Sequence, residues 1–189
     1  NYINAKIALG GFNPATFTAI WMSSAAGYAV FLLAARRQLG AVRLTGLPFK
    51  GMMGLGLCNT MAQLLMWQGL DRLDPSFSAF LGRFSPMISI LVVVVLLRER
   101  IRALEWGAVA VMIAGGALSA AGSVWRLEWA GIFLTLGSGF FIALQYPIAK
   151  RFGGEVPSLV MNFYRVSVAA GVATLWVFGT GQWEVGRAT

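Results

Sequence analysis

The chain has 189 residues, of which 58% are hydrophobic and only 12% charged, and its net charge is +8. Four stretches of twenty or more residues contain no charged side chain: 15–35, 51–70, 106–125 and 129–149. Because about twenty apolar helical residues cross a hydrocarbon layer about 30 Å thick, this pattern excludes a soluble domain and predicts a polytopic membrane protein.

Taken in chain order, the apolar stretches predict six transmembrane helices. The stretch before Pro14 is too short to cross a membrane, and we interpret it as the tail of a helix that begins outside this sequence. Two stretches, 75–97 and 156–182, contain one charge each, Arg83 and Arg165 respectively. The expected fold class is therefore an all-α transmembrane helix bundle. Its predicted spans are residues 15–36, 48–71, 75–97, 102–124, 127–150 and 156–180.

Basic residues are distributed unevenly between the two sides of the membrane that these spans imply. One side receives Arg36, Arg37, Arg43, Lys50, Arg98, Arg100, Arg102, Lys150 and Arg151, and the other receives Lys6, Arg72, Arg126 and Arg187. Short loops rich in Lys and Arg remain in the cytoplasm, so we expect the first group to be cytoplasmic and the protein to lie in a plasma membrane, namely a bacterial inner membrane. The same rule explains the positive charge without a nucleic-acid partner.

The two intramembrane arginines are the first candidates for a functional site. Arg83 and Arg165 each lie eight residues into a predicted span, about 12 Å from the nearest interface. A guanidinium that faced lipid at this depth would cost about 2.5–3.5 kcal/mol on insertion scales. We therefore expect both to face the interior of the bundle, with snorkelling towards the headgroups as the alternative. Pro86 lacks an N–H and is expected to kink its helix beside Arg83.

Polar and aromatic side chains recur at helical spacing on other spans, as is typical of faces that point into a bundle. The sets are Asn59, Gln63 and Trp67; Ser158, Asn162 and Arg165; Phe17, Trp21, Ser24 and Tyr28; and Gln145 and Tyr146 near Pro147. Each residue alone fits a helix–helix hydrogen bond, whereas the whole set fits the lining of a cavity. The predicted substrate-binding residues are Arg83, Arg165, Gln63, Trp67, Tyr146 and Asn162.

Small residues also recur at spacings that allow helices to approach closely. We interpret Gly51, Gly54, Gly56 and Gly139 as packing positions, because in lipid close backbone contact drives much of helix association.

Cofactor and enzyme chemistry find little support in the sequence. It contains no histidine, and its one cysteine, Cys58, lies inside an apolar stretch. Zinc-ligand spacing, a phosphate-binding glycine loop and a Ser/His/Asp set are all missing from the sequence. We therefore expect no metal, no cofactor and no enzymatic activity.

The sequence contains an internal repeat. Ala5-Lys6, Gly10-Gly11 and Pro14 precede an aromatic-rich helix, and the same order returns at Ala149-Lys150, Gly153-Gly154 and Pro157. Both the lysine pair and the pair Trp21 and Arg165 are separated by 144 residues. An odd number of spans lies between the two copies, so they would have opposite orientations, an arrangement that many secondary transporters use. The predicted units are a first repeat over 1–124 and the start of a second over 125–189.

The segments LDPSFSAF (73–80) and LGRFSP (81–86), a valine-rich run, LRER (97–100) and EWG (105–107) follow one another in a characteristic order. In this order and spacing the chain resembles the EamA-like members of the drug/metabolite transporter superfamily, over essentially its whole length. The resemblance implies two repeats of five helices, so this sequence would lack most of the first helix and the last three. We expect that these 189 residues alone do not transport.

The resemblance further implies a secondary transporter that moves a small metabolite across the plasma membrane by alternating access. Two positive charges and no carboxylate inside the visible spans favour a substrate with a carboxylate, such as an amino acid. The family often has an arginine at the position of Trp21, so any symmetric role is present only at Arg165. The alternatives are a proton-coupled multidrug or cation exporter and a membrane assembly subunit without transport. The expected partners are the substrate, the lipid bilayer and a second copy of the chain.

Overall fold

The computed structural model describes residues 2–97, 106–107, 110–111, 114–115 and 128–183. In this part of the chain the architecture is a bundle of α-helices, which confirms the predicted all-α fold class. A short 3₁₀ turn, Leu39–Val42, lies between the second and third helices. The helices are α1 (Tyr2–Gly11), α2 (Pro14–Ala35), α3 (Gly46–Arg72), α4 (Pro75–Gly82), α5 (Ser85–Leu97), α6 (Trp129–Phe152) and α7 (Ser158–Gly179).

Five of the six predicted spans correspond to these helices, and the remaining one, 102–124, lies mostly outside the described residues. Within the described ranges, three helices are long and apolar enough to cross a membrane: α2, α6 and α7, with mean hydropathies of 1.5, 1.6 and 1.3. The longest helix, α3, carries Asn59, Thr60 and Gln63 in its middle and packs against α2, α6 and α7. Its polar residues therefore belong to the helix at the centre of the bundle.

The start of helix α2 is stabilised by a side-chain N-cap and a proline. The Asn13 side chain accepts a hydrogen bond from the Thr16 N–H at 2.7 Å, and Pro14 occupies the first helical position, where no N–H is needed. Asn13 Nδ2 and Thr16 Oγ1 also donate to the Gln182 carbonyl, at 2.6 and 2.9 Å. The start of α2 thus lies beside the end of α7, and the two helices pack antiparallel.

The same end of the bundle gathers three further elements. Lys6 Nζ on α1 donates to the carbonyls of Leu70 and Asp71 in the last turn of α3. Arg72 forms an ion pair with Glu128, just before α6, at 3.1 Å. We call this the Lys6 end.

The opposite end, which we call the Lys150 end, holds the largest apolar core. It is built from Leu33, Met52, Leu55, Phe152, Val156 and Val160. Tyr164 packs against this core, and its hydroxyl donates a hydrogen bond to the Val42 carbonyl at 2.7 Å. Successive long helices therefore run in opposite directions between the two ends, as the charge pattern predicts. Five of the basic residues used in that prediction lie outside the described residues: Arg98, Arg100, Arg102, Arg126 and Arg187.

The predicted irregularity beside Arg83 is confirmed, and it is a break rather than a kink. Helix α4 ends at Gly82 and α5 begins at Ser85. The N–H groups of Arg83 and Phe84 donate to the carbonyls of Phe80 and Leu81, three residues earlier, which is the tighter 3₁₀ pattern. Because Pro86 cannot donate to the Gly82 carbonyl, the regular α pattern cannot continue through this point.

Most of the predicted glycine contacts are confirmed. A Cβ added at Gly51 would lie 2.2 Å from the Phe152 ring, and one at Gly56 would lie 2.4 Å from Val168. A Cβ at Gly139 would lie 3.5 Å from the Ser85 backbone. Gly54 differs, because a Cβ there would meet no atom of the described residues within 4 Å. Against this part of the chain, the interpretation of Gly54 as a packing position is therefore wrong.

The two ends of the bundle give a direct test of topology. In a variant with Cys58 replaced by serine, we expect cysteines introduced at Asp74 and at Gly154 to react with impermeant maleimide from opposite sides of the membrane. Both positions are exposed, at the Lys6 end and the Lys150 end respectively. Labelling of both from one side would contradict the antiparallel arrangement.

Candidate functional site

The first candidate site is a cavity of about 330 Å³ between α3, α6 and α7, in the half of the bundle nearer the Lys150 end. We call it the Arg165 cavity. Its walls combine polar and apolar side chains from all three helices. They are Leu55, Ile142, Gln145, Tyr146, Ala149, Ser158, Met161, Asn162 and Arg165.

Hydrogen bonds orient the polar groups of the Arg165 cavity. Arg165 Nη2 donates to the Asn162 carbonyl oxygen at 2.8 Å, one helical turn away on α7. Asn59 on α3, only 6% exposed, directs its amide towards the Arg165 backbone carbonyl, 3.4 Å away. A guanidinium has five N–H donors in a planar fork that matches a carboxylate. The guanidinium, held by Asn162, therefore presents donors of the kind that an anionic group accepts.

The second candidate site is a cavity of about 540 Å³ between α1, α2, α3 and α6, towards the Lys6 end. We call it the Trp67 cavity. Three aromatic rings form one wall. The Phe17 ring meets the Trp67 ring edge to face, with centroids 4.9 Å apart, and Trp21 lies 5.9 Å from Phe17 and 6.0 Å from Trp67. This wall suits an apolar or flat group.

The Trp67 cavity also holds an unused hydrogen-bond donor. Trp67 Nε1 is buried and has no acceptor among the described residues. The side chain of Gln63, one turn earlier on α3, lines the same cavity, as do Tyr2 and Asn4 on α1. A buried donor without a partner is costly, so a ligand with an acceptor group would gain from binding here.

Five of the six predicted site residues line these two cavities. Arg165, Asn162 and Tyr146 lie in the Arg165 cavity, and Gln63 and Trp67 lie in the Trp67 cavity. Ile142 on α6 contributes to both walls. Their part in substrate binding stays a prediction.

Arg83 is placed differently from the other five. It lies between α4 and α5 and lines neither cavity. Its side chain is exposed, as are those of Arg165 and Tyr146. It is close enough to the Tyr2 hydroxyl to interact with it electrostatically. A Cβ added at the neighbouring Gly82 would lie 2.7 Å from that hydroxyl. Tyr2 thus connects the break in the chain with the Trp67 cavity.

Sequence reasoning missed Tyr2, although a signal for it was present. Tyr2 and Tyr146 are separated by 144 residues, as are Lys6 and Lys150. Helices α2 and α7 are both 22 residues long, and both of their bounds differ by the same 144 residues. Four pairs of cavity residues share this offset: Tyr2 and Tyr146, Ala5 and Ala149, Phe17 and Met161, and Trp21 and Arg165.

The sequence profile of the EamA-like transporter family matches residues 1–121, which is more than half of the chain. No curated protein matches the chain.

Proposed function

Because the chain belongs to the EamA-like transporter family, whose members move small molecules across membranes, we propose that it forms the substrate path of a secondary transporter for a small carboxylate-bearing metabolite. Uptake or release would proceed by alternating access, with the Arg165 cavity and the Trp67 cavity serving as the two halves of the path. An amino acid with an apolar side chain has the required chemistry.

The observation that carries this proposal is the environment of Arg165. Among the described residues that line the two cavities, it is the one charged side chain. Asn162 holds one edge of the guanidinium, and the buried amide of Gln145 and the hydroxyls of Tyr146 and Ser158 complete the walls. Neutral hydrogen-bonding groups around one cation suit a carboxylate or a zwitterion better than a cation.

The Trp67 cavity supplies the complementary chemistry. Its aromatic wall suits the apolar part of a substrate, while Trp67 Nε1 and the Gln63 amide offer hydrogen bonds that fix its orientation. The two cavities share Ile142, and one lies towards the Lys150 end of the bundle while the other lies towards the Lys6 end. Two related cavities, one towards each side, are what an inverted repeat produces, and this supports alternating access.

The remaining alternatives are less well supported. A membrane assembly subunit would be expected to scatter its polar residues over many helix faces, whereas here nine of the twelve residues in the predicted sets line two cavities. A cation exporter would bring its substrate past the positive charge of Arg165. The first argument favours a transporter, and the second favours an anionic or zwitterionic substrate over a cation.

Transport by the full-length protein in liposomes tests this function. We expect saturable counterflow with labelled apolar amino acids or small carboxylates, and none in protein-free liposomes. Trp67→Phe keeps the ring but removes the Nε1 donor, so it should raise KM about twofold to tenfold, the value of one neutral hydrogen bond. Counterflow of organic cations without any of carboxylates would refute the proposal.

A further inference from the structure

A third cavity, of about 750 Å³, lies between α3 and α6 at the Lys150 end and belongs to neither part of the proposed path. We call it the Lys50 groove. One of its ends is basic, with Lys50 from the first part of α3 and Lys150 and Arg151 from the last turn of α6. All three residues are exposed.

The other end of the groove is apolar and extends towards the middle of the bundle. On α3 it is formed by Gly54 and Cys58, and on α6 by Leu144, Pro147 and Ile148. The missing side chain at Gly54 makes room, because a Cβ there would meet no atom within 4 Å among the residues that the structure describes. From Lys50 to Cys58 the groove runs along α3 for eight residues, about 12 Å.

We propose that the Lys50 groove binds an anionic phospholipid from the membrane leaflet at the Lys150 end. The three basic side chains would hold the headgroup phosphate, and an acyl chain would lie along Gly54, Cys58 and Leu144. A ligand with one anionic end and one long apolar end matches both parts of the groove. Basic pockets between transmembrane helices are a known setting for acidic lipid headgroups. This site is independent of the transport proposal.

Two simpler explanations account for only part of the observations. The positive-inside rule explains why basic residues gather at this end, but not why three of them border one groove. A site for free phosphate would explain the basic end, but it would not need the apolar channel beyond it. Both explanations make measurable predictions that differ from ours.

The test uses the full-length protein in detergent, with phosphatidylglycerol or phosphatidylcholine added at equal concentrations. Phosphatidylglycerol should raise the melting temperature and slow the reaction of Cys58 with maleimide, followed by peptide mapping. Phosphatidylcholine and glycerol phosphate should do neither. Each basic residue near an anionic surface contributes about fivefold to binding, so the triple variant Lys50→Gln/Lys150→Gln/Arg151→Gln should bind phosphatidylglycerol about 100-fold more weakly.

The matched control removes three charges from the same end of the bundle but outside the groove. Arg36→Gln/Arg37→Gln/Arg43→Gln should keep the phosphatidylglycerol effect, because these exposed residues do not line it. Gly54→Leu fills the apolar part without changing charge and should lose the effect. Equal loss in both triple variants would show surface electrostatics only, and an effect of glycerol phosphate would show a free-anion site. No effect of phosphatidylglycerol on the parent protein would show that another part of the protein covers the groove. Each of these three results would overturn the proposal.

Discussion

Replacing Arg165 with alanine in the full-length transporter is expected to lower kcat/KM for a carboxylate substrate about 10-fold to 100-fold, with membrane expression unchanged. A hydrogen bond to a charged group is worth about 1.5–3 kcal/mol, and tenfold corresponds to about 1.4 kcal/mol. Arg165→Lys keeps the charge but loses the planar fork that binds a carboxylate through two parallel bonds. Its loss should therefore be smaller than that of alanine, yet clearly measurable.

Alanine variants of two other arginines serve as controls for this prediction. Arg36 is exposed at the Lys150 end and lines neither cavity, so Arg36→Ala should transport like the parent protein. Arg83 was predicted from the sequence to bind substrate, but it too lines neither cavity, so Arg83→Ala should have a smaller effect than Arg165→Ala. Normal transport by the Arg165→Ala protein would remove the basis for an anionic substrate.

The second large effect is expected at Gly69, where α3 crosses α6 near the Lys6 end. A Cβ at this position would lie 2.4 Å from Thr135 Oγ1, 3.1 Å from the Thr135 backbone nitrogen and 3.2 Å from the Gly131 carbonyl oxygen. The hydroxyl cannot easily turn away, because it donates to that same carbonyl at 2.9 Å. Gly69→Ala should therefore separate the two helices and destabilise the protein by about 1–3 kcal/mol.

Gly54→Ala is the matched control for this change. It makes the same substitution in the same helix, where an added Cβ meets none of the described residues within 4 Å. The higher helix propensity of alanine should therefore leave stability equal or raised. Thermal unfolding of the purified variants in detergent measures the difference. The double variant Gly69→Ala/Thr135→Ala should recover part of the loss. Equal melting temperatures for the two single variants would contradict the observed crossing of α3 and α6.

The sequence predicted the helices well because membrane spans are defined by length and apolarity, which are properties of single segments. The predicted span 156–180 compares with α7 at Ser158–Gly179, and 127–150 compares with α6 at Trp129–Phe152. The start of α3 was placed at Pro48 but lies at Gly46. Proline is tolerated throughout the first turn of a helix, so it does not mark the first residue.

The site was only partly predictable, because helical spacing shows which residues share a face but not what that face meets. Asn59, Gln63 and Trp67 share one face of α3. Gln63 and Trp67 line a cavity, whereas Asn59 lies within 3.6 Å of Met22 Sδ, buried between α2 and α7. The Lys50 groove was missed for a related reason. It depends on the open space beside Gly54 in the described part of the chain, and a sequence pattern does not show where space is left open.

The break between α4 and α5 has a consequence for how the protein enters the membrane. Helix α4 has 8 residues and α5 has 13, so they span about 12 Å and 20 Å, and neither crosses a 30 Å layer alone. The loop between them carries the charge of Arg83. Both pieces pack against α6, which the ribosome makes later. We therefore expect this segment to insert poorly when presented alone to the translocon, and to complete its insertion only when α6 arrives.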